Sequence, residues 1–366
     1  MTKPRILLLG TVPPADNPDY ALFSRDFEVV PFVPKSMTDF CQKLDTIYND
    51  ISAIWMFDFV ENTDISYGAE LASHFPETLK VWAIAWVGYD FVDGAAFRKK
   101  GVILTNTGSA TSPQVADLAL YHVLASYRGT SVFERSLRDQ LNLSEARKIL
   151  GTKEFSPETG LPVIPVDHRV NYFDYGMAIG GKVLNTPQDS TVGIVGLGAI
   201  GKEIAKRLNA IGMYVNYTKR SPLSEEEEKK LGFTVTYHES FEKMIPYCDC
   251  IVFCVPHTPS TIHLLNEKTA KILKPGVRIV NVGRGSALDE NVLLQCLEDG
   301  TISHAGLDVF ESEPLVDERL VKRWDITLTP HIGSTTSDNP KHAAKANMAD
   351  ISNIVLHGGK GYNTVN

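Results

Sequence analysis

The 366 residues carry 44 Asp and Glu against 36 Lys and Arg, a net charge of −8, and 43% of them are hydrophobic. That length suits two domains with full cores, and the acidic balance argues against a general nucleic-acid or anionic-membrane binder. The five scattered cysteines fit a reducing compartment rather than a disulfide framework. No apolar run reaches membrane-spanning length and no address signal is read, so the expected location is cytoplasmic.

The first hundred residues alternate apolar runs with helix-like pieces. Ile6–Leu9, Phe27–Phe32, Ala53–Phe57, Leu79–Ala85 and Val102–Thr105 read as strands, with Thr38–Asn49 and Gly94–Lys100 among the pieces between them. That rhythm predicts a small parallel α/β domain. Ser112–Ser126 reads as a long helix with Ser112 as N-cap and Pro113 in its first turn. Its stripe of Val115, Leu118, Ala119, His122 and Val123 suits a connector between two lobes. From Gly151 to Asp189 proline, glycine and aromatic residues accumulate without periodicity, an extended excursion. His168, Arg169, Tyr172, Phe173 and Tyr175 there form a subunit-contact arm, a lid, or a loop packed on its own domain.

At Thr191 the α/β rhythm returns. Strands are expected at Val192–Val195, Tyr214–Thr218, Thr234–Tyr237, Cys250–Val255, Arg278–Val282, Ala305–Leu307 and Ile326–Leu328. The first runs straight into Gly196, Gly198 and Gly201, a G-x-G-x-x-G, and then a helix from Lys202 to Ala210. In that order the glycines have separate tasks: a sharp turn, a bare backbone for a pyrophosphate, and close packing of helix on strand. The helix N-terminus adds N–H groups and a positive dipole end, so dinucleotide binding is expected. Ser224 with Glu225–Glu228 and Lys229–Lys230 reads as a helix start, acidic in its first turn and basic later, with a solvated face. Asn339–His357 reads as a last helix that returns to the first domain. Cys248, Cys250 and Cys254 lie on or beside a buried strand with no fourth ligand at finger-like spacing, so no metal is expected.

Three polar islands follow apolar strands. Arg284 stands between Gly283 and Gly285, where open α/β sheets bind ligands and a guanidinium grips a carboxylate. Asp308 lies just past a strand end, and Glu313 precedes Pro314. His331 follows a strand and Pro330 and precedes Gly333 and Ser334. Taken singly each is an ordinary surface turn.

Together, with Val87–Asp90, Val115–Leu120 and the glycine fingerprint, they resemble the D-isomer-specific 2-hydroxyacid dehydrogenase family over nearly the whole length outside Gly151–Asp189. The branches it is similar to are the glyoxylate/hydroxypyruvate reductases and, in Asp117–Tyr121 and Thr186–Gln188, the fungal D-mandelate dehydrogenases. The resemblance implies two doubly wound parallel-sheet domains: a Rossmann cofactor domain, 115–334, inserted in a flavodoxin-like substrate domain, 1–114 and 335–366. It implies hydride transfer between a nicotinamide cofactor and a 2-oxoacid, giving a D-2-hydroxy acid in a cleft that closes. His331 would protonate the carbonyl, Glu313 would hold its imidazole and raise its pKa, and Arg284 would bind and polarise the substrate. Trp86, Val87 and Gly88 would meet the substrate. Val115, Gly196, Gly198, Ala199, Ile200, Gly201, Thr218, Lys219, Arg220, Val255, Pro256, Thr261, Val282, Gly283, Arg284, Asp308, His331, Gly333 and Ser334 would border the cofactor, with Asp308 near the nicotinamide carboxamide. A homodimer is implied.

Two departures refine this. NAD-using relatives carry an acidic residue where Lys219 stands; Lys219 and Arg220 attract a 2′-phosphate instead, so NADP is expected over NAD, with a non-selective basic turn as the other reading. Trp86 stands where relatives often have a small residue, and with Trp82, Tyr89 and Phe57 it lines an apolar wall for a bulkier 2-oxoacid or simply packs a strand end. The reading from a different class is a nicotinamide-sensing, corepressor-like scaffold on the same fold.

Overall fold

The computed structural model describes residues 2–10, 18–58, 64–151, 154–156, 160, 162 and 176–366. It divides into two units, Met1–Ser112 with Ser334–Asn366, and Pro113–Gly333. His168, Arg169, Tyr172, Phe173 and Tyr175 lie outside the described residues.

In the first unit β1 (Arg5–Leu9), β2 (Glu28–Phe32), β3 (Ile51–Met56), β4 (Val81–Ile84) and β5 (Ile103–Thr105) form a 5-stranded sheet in the order β2-β1-β3-β4-β5, all parallel. Because strand side chains alternate between faces, Leu7, Leu9, Ile54, Met56 and Trp82 pack on Phe40, Leu71 and Phe97 of the helices Met37–Asp45, Ala69–Ser73 and Gly94–Lys99. Ile6, Leu8, Ala53, Trp55 and Val81 face the other way, onto Phe23, Phe27 and the Ala344, Met348, Ile351 and Ile354 stripe of the helix Asn339–His357. Buried Asn347 fixes that helix: its amide oxygen accepts from the Trp55 indole at 3.0 Å and its amide nitrogen donates to the Ile84 carbonyl at 3.0 Å. The Asn366 side chain accepts from the Leu104 N–H at 2.8 Å and donates to the Gly94 and Val102 carbonyls.

The second unit opens on the helix Ser112–Arg128, followed by Thr130–Gln140 and Leu143–Ile149. The small hairpin β6 (Ala178–Ile179) and β7 (Lys182–Val183) comes next. Then β8 (Thr191–Val195), β9 (Tyr214–Thr218), β10 (Val235–His238), β11 (Cys250–Phe253), β12 (Val277–Asn281), β13 (Ile302–Leu307) and β14 (Ile326–Leu328) make a 7-stranded parallel sheet in the order β10-β9-β8-β11-β12-β13-β14. The order reverses at β8, the doubly wound arrangement with a ligand crevice at the strands' carboxyl ends. One face buries Val192, Ile194, Val215, Val252 and Val280 under Val115, Ala119, Val123, Ile204 and Leu208. The other buries Ile251, Phe253, Ile279 and Leu307 under Leu293, Leu297 and Leu320. The helix Ser112–Arg128 starts at the boundary of the two units and is a packed layer of the second.

One further expectation changes, and one of the alternatives for the excursion is supported where it is described. Ser112 does not cap its helix: it is the first helical residue, and its hydroxyl is buried with no hydrogen-bond partner among the described residues. The Gly151–Asp189 excursion is pinned where it is described. The Phe155 ring stacks on Trp324 at 4.4 Å, and the Lys182 ammonium meets buried Asp325 at 2.7 Å, with Arg323 on the same carboxylate. A buried carboxylate needs such partners, because an unpaired one is too costly to desolvate.

Candidate active site

Every second-unit island follows the carboxyl end of a strand of one parallel sheet, so the islands share one edge. The first is the turn after β8. Gly196 is at φ 96, and its N–H donates to the Thr218 carbonyl at 2.9 Å. A Cβ on Gly201 would lie 2.2 Å from the Gly196 carbonyl oxygen, so no other residue lets the helix Ala199–Ala210 sit this close to the strand. At Gly198 a Cβ would meet nothing within 4 Å. That open space stands before a helix whose N-cap offers no side-chain acceptor. Among the described residues nothing accepts from the N–H groups of Ala199, Ile200 and Gly201. Bare backbone, unpaired N–H groups and the helix dipole fit a pyrophosphate.

Val255 lies against this turn: its Cγ1 is 2.9 Å from a Cβ placed on Gly196, and its backbone N is 2.8 Å from one on Gly283. Gly196, Val255 and Gly283 therefore converge. The Thr261 hydroxyl braces the loop beyond, donating to the Pro256 carbonyl at 2.6 Å and accepting from the Thr258 N–H at 2.9 Å. Thr218 is buried at the end of β9. Lys219 is half-buried and Arg220 exposed, and neither cationic group has a hydrogen bond or ion pair among the described residues. Cys254 donates its thiol to the Gly196 carbonyl at 2.9 Å, and Cys248 to the Met244 carbonyl at 3.3 Å.

The β12 turn is shaped by Asn281, fully buried. Its amide oxygen accepts from the Gly283 N–H at 3.0 Å and its nitrogen donates to the Arg284 carbonyl at 2.8 Å. A Cβ on Gly285 would lie 1.9 Å from the Phe310 carbonyl, so the Arg284 turn rests directly on the chain that carries Glu313. Asp308, buried after β13, accepts from three donors of the β14 turn. Oδ1 takes the Thr329 hydroxyl at 2.7 Å and the Ile332 N–H at 2.9 Å; Oδ2 takes the Gly333 N–H at 2.9 Å. Val115 packs over the same turn, 3.6 Å from a Cβ on Gly333.

These bonds hold His331 at φ 53, a left-handed conformation that a non-glycine residue keeps only when its surroundings impose it. The His331 N–H donates to the Asp308 and Thr329 carbonyls at 2.9 and 3.0 Å. Its Nδ1 meets Glu313 Oε2 at 2.8 Å, and Glu313 Oε1 accepts from the Phe310 N–H at 2.9 Å. The Glu313 contact raises the imidazole pKa; partial burial and the Arg284 cation oppose the shift, and the charges of Glu313 and Asp308 support it. Burial works to raise the Glu313 pKa, but the bonds from His331 and Phe310, with Arg284 nearby, hold it below the usual carboxylate range. An imidazolium held by Nδ1 keeps Nε2 as a directed proton donor.

Residues 175–333 match the family model described as D-isomer specific 2-hydroxyacid dehydrogenase, NAD binding domain. A chain of Saccharomyces cerevisiae assigned to the 2-hydroxyacid dehydrogenases is 31% identical over 95% of this chain and 92% of its own. This protein belongs to the D-isomer-specific 2-hydroxyacid dehydrogenase family. Among solved members, Rhodotorula graminis D-mandelate dehydrogenase superposes with a TM-score of 0.85 at 31% identity, covering 100% of this chain and 98% of that one. The NADPH-dependent glyoxylate/hydroxypyruvate reductase of Sinorhizobium meliloti, solved with NADP and malonate, gives 0.72 at 27% identity, covering 100% and 97%.

Within the dehydrogenase fold, Trp86, Val87 and Gly88 belong to the first unit. The Val87 carbonyl accepts from the Asn106 amide at 2.8 Å, while among the described residues nothing accepts from the Val87 and Gly88 N–H groups. The apolar wall is smaller than expected. Trp82 is fully buried in the core and Phe57 packs on the opposite sheet face against Trp55, which leaves Trp86 beside Phe91, 6.1 Å between rings, with Tyr89 partly buried nearby. Ser334 groups with the first unit. Asn281 and Thr329 were missed as site residues. Each lies next to the last residue of an expected strand, and the signal was a polar residue closing an otherwise apolar run.

Proposed function

We propose that the protein reduces 2-oxoacids to D-2-hydroxy acids with NADPH in preference to NADH. The observation that carries this reading is the His331–Glu313 pair, with Arg284 on the adjoining turn, at the sheet edge that also bears the glycine loop. A bound nicotinamide supplies the hydride that reaches substrate C2. His331 Nε2 gives a proton to the carbonyl oxygen and becomes neutral, while Glu313 stays anionic throughout. Arg284 holds the substrate carboxylate or carbonyl and stabilises the charge that develops on oxygen. The N–H groups of Val87 and Gly88, which have no acceptor among the described residues, are assigned to the substrate carboxylate. Asp308, which keeps the His331 turn in shape, is assigned to the carboxamide side of the cofactor.

The NADPH preference rests on the two cations after β9, neither hydrogen-bonded nor ion-paired among the described residues, and on a turn whose sequence holds no acidic residue. For the acid, glyoxylate and hydroxypyruvate are the small members of the class. Trp86 beside Phe91 favours acceptance of aryl or branched side chains, in keeping with the likeness to D-mandelate dehydrogenase. The five free thiols suit a cytosolic enzyme, and the exposed Leu137, Leu141 and Leu143 suit a homodimer interface. A panel of 2-oxoacids run with both cofactors is the test. Turnover of none of them would overturn the reading, and equal kcat/KM with NADH would overturn its cofactor half.

A further inference from the structure

His122 is fully buried on the helix Ser112–Arg128, where the sequence offers it only as part of an apolar stripe. Its Nε2 lies 2.8 Å from the Thr329 hydroxyl oxygen, and that hydroxyl lies 2.7 Å from Asp308 Oδ1. A hydroxyl has one proton to give, and an ionised carboxylate has none. Thr329 therefore donates to Asp308, and His122 must donate to Thr329 from Nε2. The tautomer follows: Nε2 carries the hydrogen, and Nδ1, buried without a partner among the described residues, is bare. Burial depresses the His122 pKa to about 4, so the ring stays neutral at working pH. The sheet is cut to fit it. A Cβ on Gly306 of β13 would lie 2.7 Å from the His122 Cβ and 2.9 Å from Nδ1.

We propose that His122 is a positioning residue for the reaction: through the Thr329 hydroxyl it fixes the Asp308 carboxylate that holds His331 in its left-handed turn against Glu313. This rests on the function proposed above. Asp308 has three donors, of which two are backbone N–H groups of the turn itself. The third, Thr329, ties the turn back to a rigid helix through His122. Without that tie the strained His331 backbone relaxes and the imidazole spends less time on Glu313.

The test reads the His331 ring directly. The groups facing it are Glu313, Asp308 and Arg284, and none of them is altered. Its pKa is followed by NMR titration of the ring Cε1–H, assigned by the peak missing in His331→Ala. His122→Leu, close in volume but unable to donate, should lower that pKa toward the ordinary histidine value. It should also reduce kcat for 2-oxoacid reduction roughly tenfold, with cofactor Kd unchanged. Thr329→Val should do the same. His122→Gln and Thr329→Ser, which keep a donor and a hydroxyl, should restore both readouts. The double variant His122→Leu/Thr329→Val should be no worse than Thr329→Val alone, because both break one chain. Should His122→Leu fail to fold, the Thr329 pair decides the matter. An unmoved His331 pKa in Thr329→Val, or additive losses in the double variant, would reduce His122 to core packing and overturn the proposal. Because the titration needs no turnover, a responsive pKa in a protein that reduces no 2-oxoacid would leave the relay standing and remove the proposed function instead.

Discussion

Replacing Glu313 by Gln isolates the charge that supports the histidine while keeping an acceptor for the Phe310 N–H. In the native protein the 2.8 Å contact joins two potential charges. Hydrogen bonds to charged groups are worth about 1.5–3 kcal/mol when well shielded. Here the side chains are 50% and 35% exposed, so solvent screening pulls the figure to the low end, about 1–1.5 kcal/mol, or roughly tenfold. The sign is fixed by which form the contact favours. Glu313 raises the imidazole pKa, so its loss lowers it, and the protonated histidine needed for reduction disappears at lower pH. In a pH profile of kcat for reduction, the alkaline limb of Glu313→Gln should move down in pH. The two enzymes should differ about tenfold above that limb and much less on the acid side, where both rings are protonated. The linked stability has the same window. It is present in full below the unfolded histidine value of about 6.5 and is lost as pH rises through the raised folded value. The variant should therefore lose Tm at about pH 6 and little at about pH 9. An alkaline limb that does not move would refute the pairing as the source of the proton donor's pKa.

Three other outcomes follow from the same geometry. His331→Ala should lower kcat by about 10²–10⁴-fold, the usual worth of a general acid, while NADPH binding measured by fluorescence titration stays close to native; intact turnover would remove the histidine from the reaction. Lys219→Asp with Arg220→Ser should move the NADPH-to-NADH ratio of kcat/KM toward NADH by roughly 10–100-fold, two charge-assisted contacts being lost and a repulsive one gained. A ratio that holds would place phosphate recognition elsewhere. Gly201→Ala puts a methyl 2.2 Å from a carbonyl oxygen and should lower both Tm and cofactor affinity, whereas Gly198→Ala meets open space and should lower cofactor affinity with little change in Tm.

The strands were legible because both sheets are parallel and buried on two faces, so they appear as short, nearly continuous apolar runs. Tyr214–Thr218 and Ile326–Leu328 have the bounds read from sequence. The fingerprint was legible because Gly196 and Gly201 each have a steric reason within the chain, while Gly198 leaves open backbone in front of the helix. The three islands were visible, but their mutual contacts were not, since Arg284, Glu313 and His331 meet only once the loops after different strands are laid side by side. Helices Thr130–Gln140 and Leu143–Ile149 escaped notice because their buried faces are thin, down to Val132 and Ser136 in the first and Ala146 in the second. Phe57 misled because it takes the other face of the sheet, with Trp55, and Trp82 because it shares the cluster of Trp86 but lies fully buried in its core. His122 was hidden by its neighbours: a polar ring in an apolar stripe looks like core until its partner on β14's turn is seen.

The helix Asn339–His357 covers a sheet whose strands are all synthesised before the inserted unit, and the helix itself is made after it. Between those events the ribosome must deliver the whole inserted unit, on the order of ten to forty seconds of synthesis at about 5–20 residues per second. Through that interval Ile6, Leu8, Trp55 and Val81 have no cover from Ala344, Met348 and Ile351, and the Trp55 indole lacks its amide acceptor. The nascent chain thus carries a half-clad sheet, and the first unit can close only after the second has been made.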